Sequence, residues 1–192
     1  MMIPGGHAIM LAVDLPEEML QATEDWVARD RGYRSVTLDK PHLTVTFVGH
    51  NLDHEIGEAM ELAADELSHQ VDHLILTGRT TMLGFRKDHL VALVEPTDEL
   101  LTFRGAVLEM LLKHDVRPNM QFANFTPHVS LAMGRRFDEP MKIMKPTILS
   151  VKSMIVKLGD ERSAVYELVP DEPEMSLAEE LAEGSADMGL AE

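Results

Sequence analysis

Two short stretches of this chain carry side chains able to do acid–base chemistry, and they spell one pattern. Pro41-His42-Leu43-Thr44-Val45 and Pro127-His128-Val129-Ser130-Leu131 each read proline, histidine, aliphatic, hydroxyl, aliphatic, with the histidines 86 residues apart. Histidine titrates near neutrality, so one copy can be neutral while the other is protonated. On opposite sides of a phosphodiester, one imidazole would take a proton from the attacking oxygen. The other would give a proton to the leaving oxygen, each transfer supplying about 10²–10⁴-fold. The hydroxyls of Thr44 and Ser130 can donate to the non-bridging phosphate oxygens, where charge builds. No metal is needed.

A lone His-x-Thr is common in strands that do no chemistry, but a second copy matching at five positions is far more specific. Ligation of a metal by His42 and His128 is the rival reading. No carboxylate or third histidine shares the motif spacing, so neither a metal site nor a cofactor is expected.

The elements around the motifs must bring them together. Side chains two apart on a strand share a face. His42, Thr44 and Thr46 would then line one face of the first motif strand, with Leu43, Val45 and Phe47 on the other. His128, Ser130 and Ala132 would do the same against Val129, Leu131 and Met133. Before them, 7–15 reads as a buried strand. Pro16 then opens a helix running to about Asp30, with Trp26 in the core. Residues 33–40 form a polar connection, and Gly49–Asp53 a turn into a helix ending near Ser68. Strands follow at 71–77 and 89–94, joined through 79–88, which has room for a further short strand. A helix spans 99–114 with Leu100, Leu101, Phe103, Val107, Leu108, Leu111 and Leu112 apolar. An irregular connection at 115–126 leads to the second motif. After a turn at 134–146, segments 148–157 and 164–169 alternate as a hairpin around Gly159-Asp160. Connections of hairpin length are too frequent for a doubly wound parallel sheet. An α+β fold of two related lobes, each an antiparallel sheet with outer helices, is expected.

The chain has 192 residues, 45% hydrophobic, which suits one domain or two small lobes. Cysteine is absent, excluding disulfides, thiol nucleophiles and Cys-ligated zinc. The apolar run 8–13 is too short for a signal peptide or membrane span, so a cytoplasmic protein with no membrane partner is expected. Eight acids and no base fall in 170–192, half of the net charge of −16, leaving −8 on the body at 1–169. The tail is expected to be disordered, with a capping box at Ser176–Glu179 as its one helical signal. An acidic body lacks the footprint for long duplex nucleic acid, but a small phosphorylated substrate held by a few local cations is compatible.

The two motifs with their flanks also resemble a known pair. Lys40-Pro41-His42-Leu43-Thr44-Val45-Thr46-Phe47-Val48-Gly49 and Phe125-Thr126-Pro127-His128-Val129-Ser130-Leu131-Ala132 resemble the two signature strands of the 2H phosphoesterase superfamily. The order of elements agrees from about His7 to Val169. The resemblance implies a bilobal fold with a pseudo-two-fold cleft, catalytic His42 and His128, and phosphate-binding Thr44 and Ser130. Ser130 stands where threonine is commoner, keeping the donor but losing the methyl that restrains its rotamer. Met133 stands where the family often has arginine, and Arg135 is the candidate substitute. Arg86 is a candidate phosphate contact, and Tyr33 and Phe125 are candidate stacking partners for a nucleobase.

The function so implied is cleavage of 2′,3′-cyclic phosphates or 2′-5′-linked nucleotides and RNA ends by a monomer, with ligation as the reverse reaction. Degradation of cyclic oligonucleotide second messengers is the enzymatic alternative. A non-catalytic nucleotide- or RNA-binding module is the alternative of another class, disfavoured because such a module could dispense with one histidine. His50 and His54 read as surface, and His7, His69, His73, His89 and His114 carry no usable pattern.

Overall fold

The computed structural model describes residues 2–29, 34–35, 41–68, 70–84, 88–119, 124–133, 145–160 and 162–167. The tail from 170, and with it the expected disorder, lies outside the described residues, as do Tyr33, Arg86 and Arg135. In chain order the elements are β1 (Met2–Val13), α1 (Glu17–Arg29), β2 (Arg34–Ser35), β3 (His42–Asp53) and α2 (His54–Asp65). Then come β4 (His73–Leu83), β5 (His89–Val94), α3 (Asp98–Lys113), β6 (His128–Met133), β7 (Thr147–Leu158) and β8 (Arg162–Glu167).

Every strand pairing among the described residues is antiparallel. The two expected sheets are present as two halves of one hydrogen-bonded system. One half runs β3-β1-β7-β8 and the other β2-β6-β5-β4. They join at two seams. At the first, β3 meets β6 through Leu43 opposite Val129. At the second, β7 changes partners along its length: Thr147–Ser150 pair with β4, and 151–158 with β1. A long strand shared in this way fastens the halves to each other.

Helix α1 packs against β2 and β6, whereas α2 covers β1, β3 and β7 and touches α3. In α3 the buried residues are Leu100, Phe103, Val107 and Leu111, the 3–4 spacing of one helical stripe. Leu101 and Leu112, expected inside, fall off that stripe and are exposed. The Thr97 side chain caps α3 by accepting from the Leu100 amide at 3.2 Å. Trp26 packs against the core, as expected.

Several boundaries depart from the expected ones, and two of these departures reshape the sheet. The turn at 49–53 is instead the end of β3, because the first residues of β1 pair with it from Met2–Asp53 to Gly6–His50. Asn51 adopts φ 53° there, and its side-chain oxygen accepts from the Gly5 amide at 3.0 Å. β4 likewise runs on to Leu83, since Thr80–Leu83 have Ala92–His89 to pair with. At 49–53 a short-range turn signal lost to an available partner strand, and in 79–88 the room for a further strand is taken up by β4 itself.

His7 is fully buried in β1 between Gly49 of β3 and Leu158 of β7. Burial pushes its imidazole below the ordinary 6.5, with His50 and Lys157 acting in the same direction and the Gly5 backbone opposing. Well above pH 6.5 folded and unfolded chains both hold this group neutral. Below it the unfolded chain takes up a proton that the folded chain resists, so stability falls with pH. Chemical denaturation from about pH 7 down to about pH 5 should show that loss, and His7→Leu should flatten the slope. A variant as steep as the parent would place the acid sensitivity elsewhere.

Candidate active site

The seam between β3 and β6 assembles the motifs. Leu43 and Val129 occupy the same place in their two motifs, each one residue after the histidine, and they are directly opposite. Antiparallel extension of that register sets His42 opposite Ser130 and Thr44 opposite His128. Leu43 and Val129 are fully buried on one face. His42, Thr44, His128 and Ser130, all partly exposed, therefore share the other. The two histidines are diagonal neighbours with backbones roughly 7–8 Å apart, a gap that a phosphate group can occupy. A local two-fold relation between the motifs follows directly.

Alternation ends early in both strands, and at equivalent positions. β1 pairs with Thr44 and then Thr46, skipping Val45. β5 pairs with Ser130 and then Ala132, skipping Leu131. Each skipped residue lies three after its histidine and marks a β-bulge, which flips the following side chains. Thr46 is consequently buried at 7% exposure and Ala132 at 0%. Neither belongs to the polar face where strict alternation places them. The bulges limit that face to one histidine and one hydroxyl per strand.

The surroundings of His128 select the tautomer of its neutral ring. Its Nδ1 lies 2.7 Å from the Thr126 carbonyl oxygen. A carbonyl can only accept, so Nδ1 carries the hydrogen and Nε2 keeps the lone pair. Burial pushes the His128 pKa below 6.5; the Thr126 bond opposes this, and charge on His89 and His42 adds to the lowering. A neutral imidazole with its lone pair on Nε2 is the form a general base needs.

His89 was not legible in the sequence. It heads β5, sits opposite Met133 and pairs with Asp88 at 3.7 Å. Only the pairing of β5 with the second motif strand gives it significance. Arg104 was missed for the opposite reason: it lies among the apolar residues of α3. Its guanidinium stacks 4.5 Å from the centre of the Phe125 ring, and its Nε donates to the Val45 carbonyl at 3.3 Å. Partial burial lowers its pKa. Phe125 packs against the core and also lines a cavity beside His128, so it stands next to the motif residues. His54 pairs with Glu58 on the surface, and His50 is exposed. Among the described residues no group of three or more His, Asp or Glu could hold a metal ion. No helix among them is long and apolar enough to cross a membrane.

Solved structures share this architecture. TT0787 of Thermus thermophilus superposes with a TM-score of 0.55 at 21% identity, over 84% of this chain and 95% of that one. A protein described as a phosphoesterase gives 0.53 at 20% identity, over 85% and 96%. E. coli LigT complexed with NADP+ gives 0.52 at 20% identity, over 86% and 96%. The chain shares the fold of these proteins, an antiparallel α+β arrangement, as the resemblance of its motifs to the 2H phosphoesterases implied. No protein-family model matches it, and no curated protein matches it in sequence. The likeness is one of backbone arrangement, spanning nearly the whole of the solved chains.

Nitrogen-detected NMR titration should find His128 as the Nδ1–H tautomer, with a pKa below 6.5. An Nε2–H tautomer would remove the basis for treating this ring as a base.

Proposed function

We propose that the protein is a phosphodiesterase that cleaves 2′,3′-cyclic phosphates or 2′-5′-linked nucleotides and RNA ends with His42 and His128 as its acid–base pair. The observation that carries this reading is the register that seats Leu43 opposite Val129 and so gathers two imidazoles and two hydroxyls on one face. The shared fold is consistent with it, and E. coli LigT of like fold has been crystallised with 3′-AMP and with NADP+. The negative body favours a small substrate over long duplex nucleic acid.

In hydrolysis of a cyclic phosphate, water attacks phosphorus while its proton passes to Nε2 of His128. The bond from phosphorus to one ribose oxygen breaks, and that oxygen takes a proton from His42. Thr44 and Ser130 donate to the non-bridging oxygens, where charge increases as the fifth oxygen approaches. With a 5′-hydroxyl in place of water the same path forms a new ester, which is ligation. Neither direction calls for a metal.

His42→Ala and His128→Ala should each lower kcat by about 10²–10⁴-fold with Tm essentially unchanged. Full activity in both variants would end the assignment. Ser130→Ala should lose about 10²–10³-fold if the hydroxyl meets the developing charge, and Ser130→Thr should retain most activity. kcat/KM should be bell-shaped in pH. Its acidic limb should lie below 6.5, because the base must be neutral and its pKa is lowered. Treatment with a chelator should leave turnover intact; loss of activity would favour a metal-dependent route.

A further inference from the structure

Next to His128, lined by Thr126 and Pro127, lies a cavity of about 570 Å³, within the roughly 300–1,000 Å³ typical of small-ligand sites. Leu93, directly opposite His128, lines it. So does Thr126, whose carbonyl holds the His128 ring. The cavity therefore adjoins the motif face on its His128 side.

Its far wall is a specified distortion. β4 and β5 pair at Leu76–Val94 and next at Thr80–Ala92, so three residues of β4 face one of β5. Gly78 at the centre has φ 77°, a conformation that a side chain would strain. The Thr77 hydroxyl donates to the Leu93 carbonyl at 3.2 Å and accepts from the Arg79 amide at 3.2 Å. These bonds pin the bulge and place Arg79, an exposed cation, on the cavity wall. The Phe125 ring lines the cavity too, held by Arg104 stacked on it. Glu95 adds a carboxylate, which suits an exocyclic amine and repels a cluster of free phosphates.

We infer that this cavity is a nucleoside subsite on the His128 side of the scissile phosphorus, with Arg79 as its specificity-determining cation. Apolar walls and an immobilised aromatic ring fit a nucleobase, and Arg79 fits the phosphate or ribose attached to it. The inference rests on the phosphodiesterase reading and narrows it. The preferred substrate carries a nucleoside on each side of the phosphate, which a cyclic mononucleotide does not.

Two measurements test it separately from catalysis. Adenylyl-(2′→5′)-adenosine and adenosine 2′,3′-cyclic monophosphate are titrated into the full-length His42→Ala protein and followed by amide chemical shifts. The dinucleotide should move Thr77, Arg79 and Thr126, and the mononucleotide should move mainly the motif strands. Dinucleotide shifts confined to the motif strands would overturn the subsite. In the active protein, Arg79→Gln should lower the dinucleotide-to-mononucleotide ratio of kcat/KM by about tenfold or more, as expected for losing a charged hydrogen bond, and Arg79→Lys should recover part. An unchanged ratio would overturn it as well. Shifts at the cavity without turnover of either compound would support the subsite while sinking the phosphodiesterase reading.

Discussion

Leu43 sits opposite Val129, and every polar contact proposed for the site depends on that one antiparallel bridge. The two residues are fully buried, so their register is held by the core and not by the polar groups they position. A slip of one residue would turn a histidine inward and an aliphatic outward, at a cost in burial of about 1.5–3 kcal/mol for each large side chain. Hydrophobic packing on one face thereby sets polar geometry on the other. Because equivalent residues pair, the same bridge supplies the local two-fold relation. Each hydroxyl lies across from the other strand's histidine.

The register places each ring, and the atoms around the ring set its proton. His128 is bound to the Thr126 carbonyl and shifted by burial toward its neutral form. For His128 that proton preference comes from its surroundings and not from the motif itself.

Three of the sheet's β-bulges border the motif face or the cavity beside it. They fall at Val45, at Leu131 and at Thr77–Arg79. The first two end the polar face after a single His–hydroxyl pair, returning Thr46 and Ala132 to the interior. The third turns a strand of the floor into a cavity wall. An unbroken pleat would carry two-residue alternation straight across the site, so these interruptions shape it as much as the histidines do.

The sequence by itself determined the two motifs, the α+β class and most element positions. Those properties are local: residue type, two-residue alternation in Pro-His-Leu-Thr and Pro-His-Val-Ser, and helical spacing in 100–111. It could not reveal Arg79, His89 or Arg104, whose places depend on residues distant in the chain. His89 matters because β5 lies against β6, and Arg79 because a bulge in β4 faces Leu93. Arg104 matters because α3 crosses β3 beside Phe125. The turn expected at 49–53 failed for the same reason, since β1 was there to pair with it. Pairing partners are chosen by the whole core, so what any strand finally presents to the cleft was settled only in the tertiary structure.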